Sequence, residues 1–259
     1  MITIKSEAEI EAMHRAGLVV YQVLETVKSI LKPGISTFSL DEAAYDVIKS
    51  YGAYPSSKGY HGFPGSICTS VDSQVVHGIP SRKVILKEGS IVGIDCTVLL
   101  DGYQGDAAVT LPVGEISPRA QRLIDVTEEC FWRGAALARA GAHIGDVASA
   151  VQKCAESNGY GVVRVLCGHG IGKEMHEDPE VPNFGRPGHG VRLRPGMTLT
   201  IEPMITMGDY NVYVGDDEWA IYTQDGSLAS HYEHTLAINA EGLPTILTLP
   251  DNIPRKFGI

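Results

Sequence analysis

The chain has 259 residues, 44% hydrophobic and 20% charged, with a formal net charge of −10. That balance describes a globular protein with a sizeable core and excludes a disordered or low-complexity chain. No run of Lys or Arg exceeds two, so no basic stripe marks a nucleic-acid partner, and no apolar stretch reaches the length of a membrane span or a signal-peptide core.

The first helix is predicted from a capping box, Ser6 with Glu9, followed by Ile10, Met13, Leu24, Val27 and Leu31 at helical spacing. Pro33-Gly34 stops it. Ser39 with Glu42 is expected to open a second helix that runs through Val47 and Ile48 and ends near Gly52. "IVGIDCTVLLDGYQGDAAVTL" then alternates around Asp101-Gly102, the signature of a two-residue hairpin turn. Pairing Leu100 with Tyr103 sets Asp95 opposite Ala108 and Asp106 opposite Thr97. The two aspartates then share one face as diagonal neighbours, about 7–8 Å apart at their α-carbons. A third helix is predicted from Ser117-Pro118 to Gly141, and a fourth is expected to be capped by Asp146 and closed by Gly159.

The second helix pair repeats the first. Gly34 and Gly141, Gly52 and Gly159, Gly89 and Gly196, and Asp95 and Glu202 are each separated by 107 positions. "HGI" occurs at 77–79 and again at 169–171. The expectation is an α+β chain in which two related helix–helix–strands units, about 1–116 and 117–259, share one core as a single domain. On this reading Asp95 and Asp106 face Glu202 and Glu233.

The loop "GHGIGKEMH" invites a phosphate-binding reading, which its residues reject. Gly172-Lys173 is followed by Glu174 rather than Ser or Thr, Cys167 stands where a P-loop needs its first glycine, and Lys173 stands where a dinucleotide loop needs its third. Four carboxylates on repeat-related strands, with His169 in the neighbouring loop, form instead a hard, oxygen-rich donor set. Acids able to bridge point to two divalent ions close together. Other histidines receive blander readings. His14, His143 and His189 are expected to be structural or exposed, and His231 and His234 are expected to point away from Glu233. Five cysteines, odd in number and without a C-x-x-C pair, read as reduced thiols in a cytoplasmic compartment. Cys96 is expected to face away from Asp95, and Trp132 to be core.

Taken together, "GYHGFPGSICTS", "VVHGIP", "GIDCTV", "YQGDAAV", "GHGIGKEMHEDPEVPNFG", "TIEPM" and "HYEHT" resemble the type I methionine aminopeptidases of the short bacterial kind, pita-bread metallopeptidases. The resemblance runs from the first helix to "YEHTLAI". It implies a pita-bread fold and an enzyme that removes the initiator methionine from nascent peptides with a small second residue, using a water or hydroxide bridging two metal ions. It implies Asp95, Asp106, His169, Glu202 and Glu233 as metal ligands, with Asp106 and Glu233 bridging. His77 and His176 would contact substrate, Glu202 would also handle protons, and Tyr60, Phe63, Cys68 and Trp219 would line the methionine pocket with His61 beside them. The implied ions are manganese, iron(II) or cobalt, with zinc as a further option. The implied partner is a peptide or nascent-protein N-terminus, transiently at the ribosome surface, and the implied state is a cytoplasmic monomer. Ala107-Ala108, Met175 and Ser57-Lys58 depart from the commonest family pattern without removing a ligand. A proline-specific pita-bread peptidase is the second reading, disfavoured by the pocket motif and by a chain that begins at the first helix of the catalytic unit. A binding module without catalysis is the third, disfavoured because all five ligands stand.

Overall fold

A computed structural model describes residues 1–253. Ser6 and Glu9 form the expected capping box at the start of α1 (Glu7–Ile30). The second helix, α2 (Thr37–Ser50), is capped by Ser36, whose hydroxyl accepts from the Ser39 backbone N–H, so the cap lies three residues before the expected one. Ser117 caps α3 (Pro118–Ala135), with Pro118 in the first turn, where its missing N–H costs nothing. This helix stops at Ala135, short of Gly141. His143, not Asp146, is the N-cap of α4 (Ile144–Ser157). Asp146 sits in the first turn, and its carboxylate accepts from the His143 N–H.

Between the helix pairs lie β1 (Tyr54–Pro55), β2 (Cys68–Val71), β3 (Gln74–Val76) and the long hairpin of β4 (Ile91–Leu100) and β5 (Tyr103–Pro112). Its register is the predicted one throughout, from Ile91↔Pro112 to Leu100↔Tyr103. Asp101 and Gly102 both have positive φ, 51° and 81°, as the tight turn that matches strand twist requires. After α4 follow β6 (Gly161–Val162), β7 (Cys167–Gly170), β8 (Glu177–Pro182), β9 (Thr198–Ile201) and β10 (Met204–Thr206). The chain continues through β11 (Val212–Val214), β12 (Ile221–Thr223), β13 (Ala229–His231), β14 (Glu233–Ile238) and β15 (Pro244–Ile246).

The main sheet runs β1-β4-β5-β14-β9-β7-β8, with β2 also paired to β4 and β15 to β14, and every pairing is antiparallel. Two three-stranded sheets, β13-β10-β6 and β11-β12-β3, flank it. Alternation along the strands decides which side is dry. Ile94, Cys96 and Val98 of β4 join Val20, Val23, Leu40 and Ile48 of α1 and α2 in one buried cluster. Leu199, Ile201, Leu236 and Ile238 join Leu123, Phe131, Val147 and Val151 of α3 and α4 in another. Cys96 thus faces the helices and Trp132 is core, as expected. The helix α1 approaches β5 closely where glycine meets glycine. A Cβ on Gly105 would stand 2.6 Å from the Gly17 nitrogen, and one on Gly17 would stand 2.2 Å from the Leu247 carbonyl oxygen. No helix among the described residues is long and apolar enough to cross a membrane.

Candidate metal centre

The sheet face away from the helices lines a cavity of about 340 Å³. Asp95, Asp106, His169, Glu202 and Glu233 all border it. The hairpin register explains the first two, because Asp95 and Asp106 lie on one face with Ala108 and Thr97 across from them. Ala108 also pairs with Glu233 on the next strand, so Asp95 and Glu233 flank a methyl group that leaves the space between them open. Glu202 follows β9 immediately, where Ile201 pairs with His234, and this brings Glu202 to the Glu233 end of β14. His169 arrives from β7, its backbone N–H donating to the Thr200 hydroxyl at 3.1 Å.

Orientation is set by short contacts around the carboxylates. The Thr97 hydroxyl donates to Asp106 Oδ1 at 2.9 Å, and the Thr235 hydroxyl brackets the Asp106 backbone, accepting from its N–H and donating to its carbonyl. Thr200 Oγ1 donates to Glu202 Oε1 at 3.1 Å. His169 Nδ1 lies 2.9 Å from the Gly170 carbonyl, so Nδ1 carries the proton and Nε2 is left as a lone-pair donor facing the acids. That nitrogen stands 3.9 Å from Asp106 Oδ2 and 3.7 Å from Glu202 Oε1.

His231 corrects the sequence expectation. It lies two residues before Glu233, so period-2 alternation returns it to the Glu233 side, and its Nε2 is 3.7 Å from both Glu202 Oε2 and Glu233 Oε2. The repeat of two between 231 and 233 was the available signal. His234 does turn away, with Nδ1 2.8 Å from the Thr248 hydroxyl and its ring against Phe131.

Electrostatics leave this cluster short of positive charge. Burial, with neighbouring carboxylates, pushes Asp106, Glu202 and Glu233 well above the usual carboxylate range, and burial alone raises Asp95 to about 7. The imidazoles are driven the other way, His169 to about 4 and His231 to about 3, chiefly by desolvation, so both are neutral at pH 7. The lysine and arginine ion pairs among the described residues lie elsewhere. Glu233 Oε1 and His231 Nε2 are buried without a hydrogen-bond partner. Groups of ligand atoms from Asp95, His231 and Glu233, and from Asp106, His169 and Glu233, lie within 4.8 Å of one another. Ligands about 2.1 Å from a common ion stand up to about 4.2 Å apart, so modest closure satisfies both groups. The residues fit divalent cations, which would supply the missing charge and occupy the orphaned atoms.

Above this floor sit the remaining predicted residues. Tyr60, Phe63, Cys68 and Trp219 line the cavity, and the Phe63 and Trp219 rings meet edge to face at 5.1 Å. Val76, Leu166 and Met204 extend the apolar wall beyond what the motifs indicated. The Tyr60 hydroxyl lies 2.9 Å from His176 Nδ1, and the His176 ring packs 4.4 Å from that of His169. His77 borders the cavity from a left-handed backbone conformation, φ 60°, and burial lowers its pKa. His61 is the exception. It is exposed, stacked edge-on against Tyr60 at 4.4 Å, and outside the cavity wall. His14, His143 and His189 lie away from the site, bonded to the Leu247 carbonyl, capping α4 and bonded to the Pro187 carbonyl respectively.

A model of metallopeptidase family M24 matches residues 11–240. The chain belongs to metallopeptidase family M24. Within that family it is 54% identical over 249 residues to a methionine aminopeptidase of Clostridium acetobutylicum, covering 96% of this chain and 99% of the relative. The crystal structures of methionine aminopeptidases from Thermotoga maritima and Rickettsia prowazekii each match with a TM-score of 0.94, at 42% and 40% identity, over 96% of this chain and 100% of theirs. The curled sheet under two helix pairs is therefore the pita-bread fold, and this M24 chain is an enzyme of the metallopeptidase class that binds divalent metal.

Proposed function

We propose that this M24 chain is a methionine aminopeptidase that uses two divalent ions to release methionine from N-termini with a small second residue. The observation that carries the reading is the convergence of Asp95, Asp106, His169, Glu202 and Glu233 on the floor of one cavity whose upper wall is apolar. Those five residues would hold the ions, with His231 beside Glu202 and Glu233. Manganese, iron(II) or cobalt suits the donors best, and zinc is the further option. Divalent ions bound there supply Lewis acidity at the scissile carbonyl and make water nucleophilic at neutral pH.

The chain's own groups perform the rest. Tyr60, Phe63, Cys68 and Trp219 receive the thioether side chain and exclude water from it, while His61 stays at the rim beside Tyr60. The Tyr60 hydroxyl lies 2.9 Å from His176 Nδ1; in the tautomer in which it donates there, the proton on His176 Nε2 is free to be donated to the carbonyl oxygen as it gains negative charge. His77 approaches the peptide nitrogen next to the scissile bond. Glu202 moves a proton to the departing amine. Met175 and Met204 also border the cavity, and their bulk would leave room for a small second residue.

Both helix–helix–strands units contribute ligands, so we read residues 1–259 as one catalytic domain of two related halves. We further place the enzyme in the cytoplasm as a monomer acting on nascent chains, with transient contact at the ribosome surface. Its specificity is tested with Met-Ala-Ser, Met-Leu-Ser and proline-containing peptides. Release of methionine from the first alone supports the reading. Cleavage of the proline peptides alone would overturn the pocket assignment and favour a proline-specific peptidase.

A further inference from the structure

His231 stands among the carboxylates with no role in the five-ligand reading. It ends β13, where it pairs with Met204 of β10. A single side chain clasps its backbone: the Thr110 hydroxyl accepts from the His231 N–H and donates to the His231 carbonyl, each at 2.9 Å. Thr235 clasps the backbone of Asp106 in the same way. The fold therefore fixes where the His231 side chain starts by the device it uses for Asp106.

The ring ends among acids. His231 is 4% exposed and borders the cavity, and its Nε2 is buried without a hydrogen-bond partner. That nitrogen lies 3.7 Å from Glu202 Oε2 and 3.7 Å from Glu233 Oε2, too far for a hydrogen bond to either. An imidazole kept only to steady an acid would close that gap, because a buried polar atom left unpaired costs about 1–3 kcal/mol. Two ligands each about 2.1 Å from one ion stand about 3.0 Å apart at a right angle and about 4.2 Å apart when opposed. A separation of 3.7 Å falls inside that range.

The setting mirrors that of His169. Glu202 stands between the two imidazoles, its Oε1 3.7 Å from His169 Nε2 and its Oε2 3.7 Å from His231 Nε2. Ligand atoms of Asp106, His169 and Glu233 form one group within 4.8 Å, and those of Asp95, His231 and Glu233 form another. Each group has one imidazole, and Glu233 belongs to both.

We propose that His231 is a sixth metal ligand, giving the ion held by Asp95 and Glu233 an imidazole of its own. This sixth ligand, which rests on the two-ion reading of the cavity, changes what the second position selects. Carboxylates alone favour manganese, whereas an added imidazole favours iron(II), cobalt and zinc.

The test strips the full chain with chelator, labels its histidine nitrogens isotopically and follows the imidazole resonances by nuclear magnetic resonance as zinc is added. The expected result is that two imidazole nitrogens move to metal-bound positions and that His231→Gln abolishes one of the two shifts. Calorimetry of that variant should show one ion bound as in wild type and the second weakened by about tenfold for manganese and by more for zinc. If the variant does not fold, a crystal structure of the zinc-loaded wild type decides, with His231 Nε2 expected about 2.1 Å from an ion. Two bound ions with no shift that depends on His231 would overturn the sixth ligand and leave the two-ion reading standing. No bound ion at all would overturn both.

Discussion

Replacing Lys5 by Met should loosen the turn that carries His176, and the structure sets the size of the effect. Lys5 Nζ donates to Glu177 Oε2 at 2.6 Å, and the two side chains are only 6% and 12% exposed. The other oxygen, Oε1, accepts the backbone N–H groups of Lys173 at 3.0 Å and Glu174 at 3.3 Å, so one carboxylate ties the N-terminal segment to the turn. Removing the ammonium leaves a buried carboxylate without its cation. Loss of one partner from such a pair costs about 3–5 kcal/mol when burial is complete, and the remaining backbone donors place this case near 3. For a chain of this size that is a fall of roughly 6–12 °C in Tm, read by circular dichroism. The pH dependence has a defined sign. Burial pushes Glu177 up, but its hydrogen bonds to Lys5 and Thr3 and the Lys5 charge outweigh it, so its pKa lies below the usual range. The stabilisation is therefore complete above the unfolded pKa, about 4.3, and is lost as pH falls through the lower folded value. The gap between wild type and Lys5→Met should be full at pH 7 and shrink toward pH 3. The double variant with Glu177→Gln, which removes the stranded charge and keeps an acceptor, should recover part of the loss. A Tm within 1 °C of wild type at pH 7, or a gap unchanged at pH 3, would refute this account of the turn.

Three further outcomes are expected. Gly17→Ala should destabilise by at least about 2 kcal/mol in urea denaturation, because its methyl would meet the Leu247 carbonyl at 2.2 Å and backbone cannot yield cheaply. Tyr60→Phe should lower kcat by roughly fivefold, about 1 kcal/mol, by releasing His176 Nδ1 while keeping the ring; an unchanged kcat would remove Tyr60 from His176 orientation. His231→Ala should weaken manganese binding by about tenfold in calorimetry, and an unaltered affinity would leave His231 as a bystander.

What the sequence disclosed followed the range of its signals. The β4–β5 register, and with it the diagonal Asp95–Asp106 pair, was legible because one Asp-Gly turn sets every pairing in a two-stranded ladder. Helix existence was legible as well, whereas boundaries slipped where side chains competed for the cap. Ser36 and Ser39 are hydrogen-bonded to each other, and only the first has the extended backbone of an N-cap. His61 and Tyr60 are chain neighbours, yet the positive φ of His61 turns the histidine outward, and nothing in a non-glycine residue announces that conformation. The Lys5–Glu177 tie joins separate elements, and no local pattern encodes it. His231 was legible too: it stands two residues before Glu233, and alternation by two puts it on the Glu233 side, whereas only the odd-spaced His234 turns away.

The proposed role of the converging carboxylates and His169 is to hold the ions on which peptide cleavage depends. Its most direct test strips the protein with chelator and titrates manganese, iron(II), cobalt or zinc back, while bound metal and methionine release from Met-Ala-Ser are measured together. Stripped protein should release no methionine, recovery should saturate by two equivalents, and His169→Ala should lose both binding and release. Full turnover by stripped protein with no detectable metal, or undiminished metal-dependent release by His169→Ala, would contradict it.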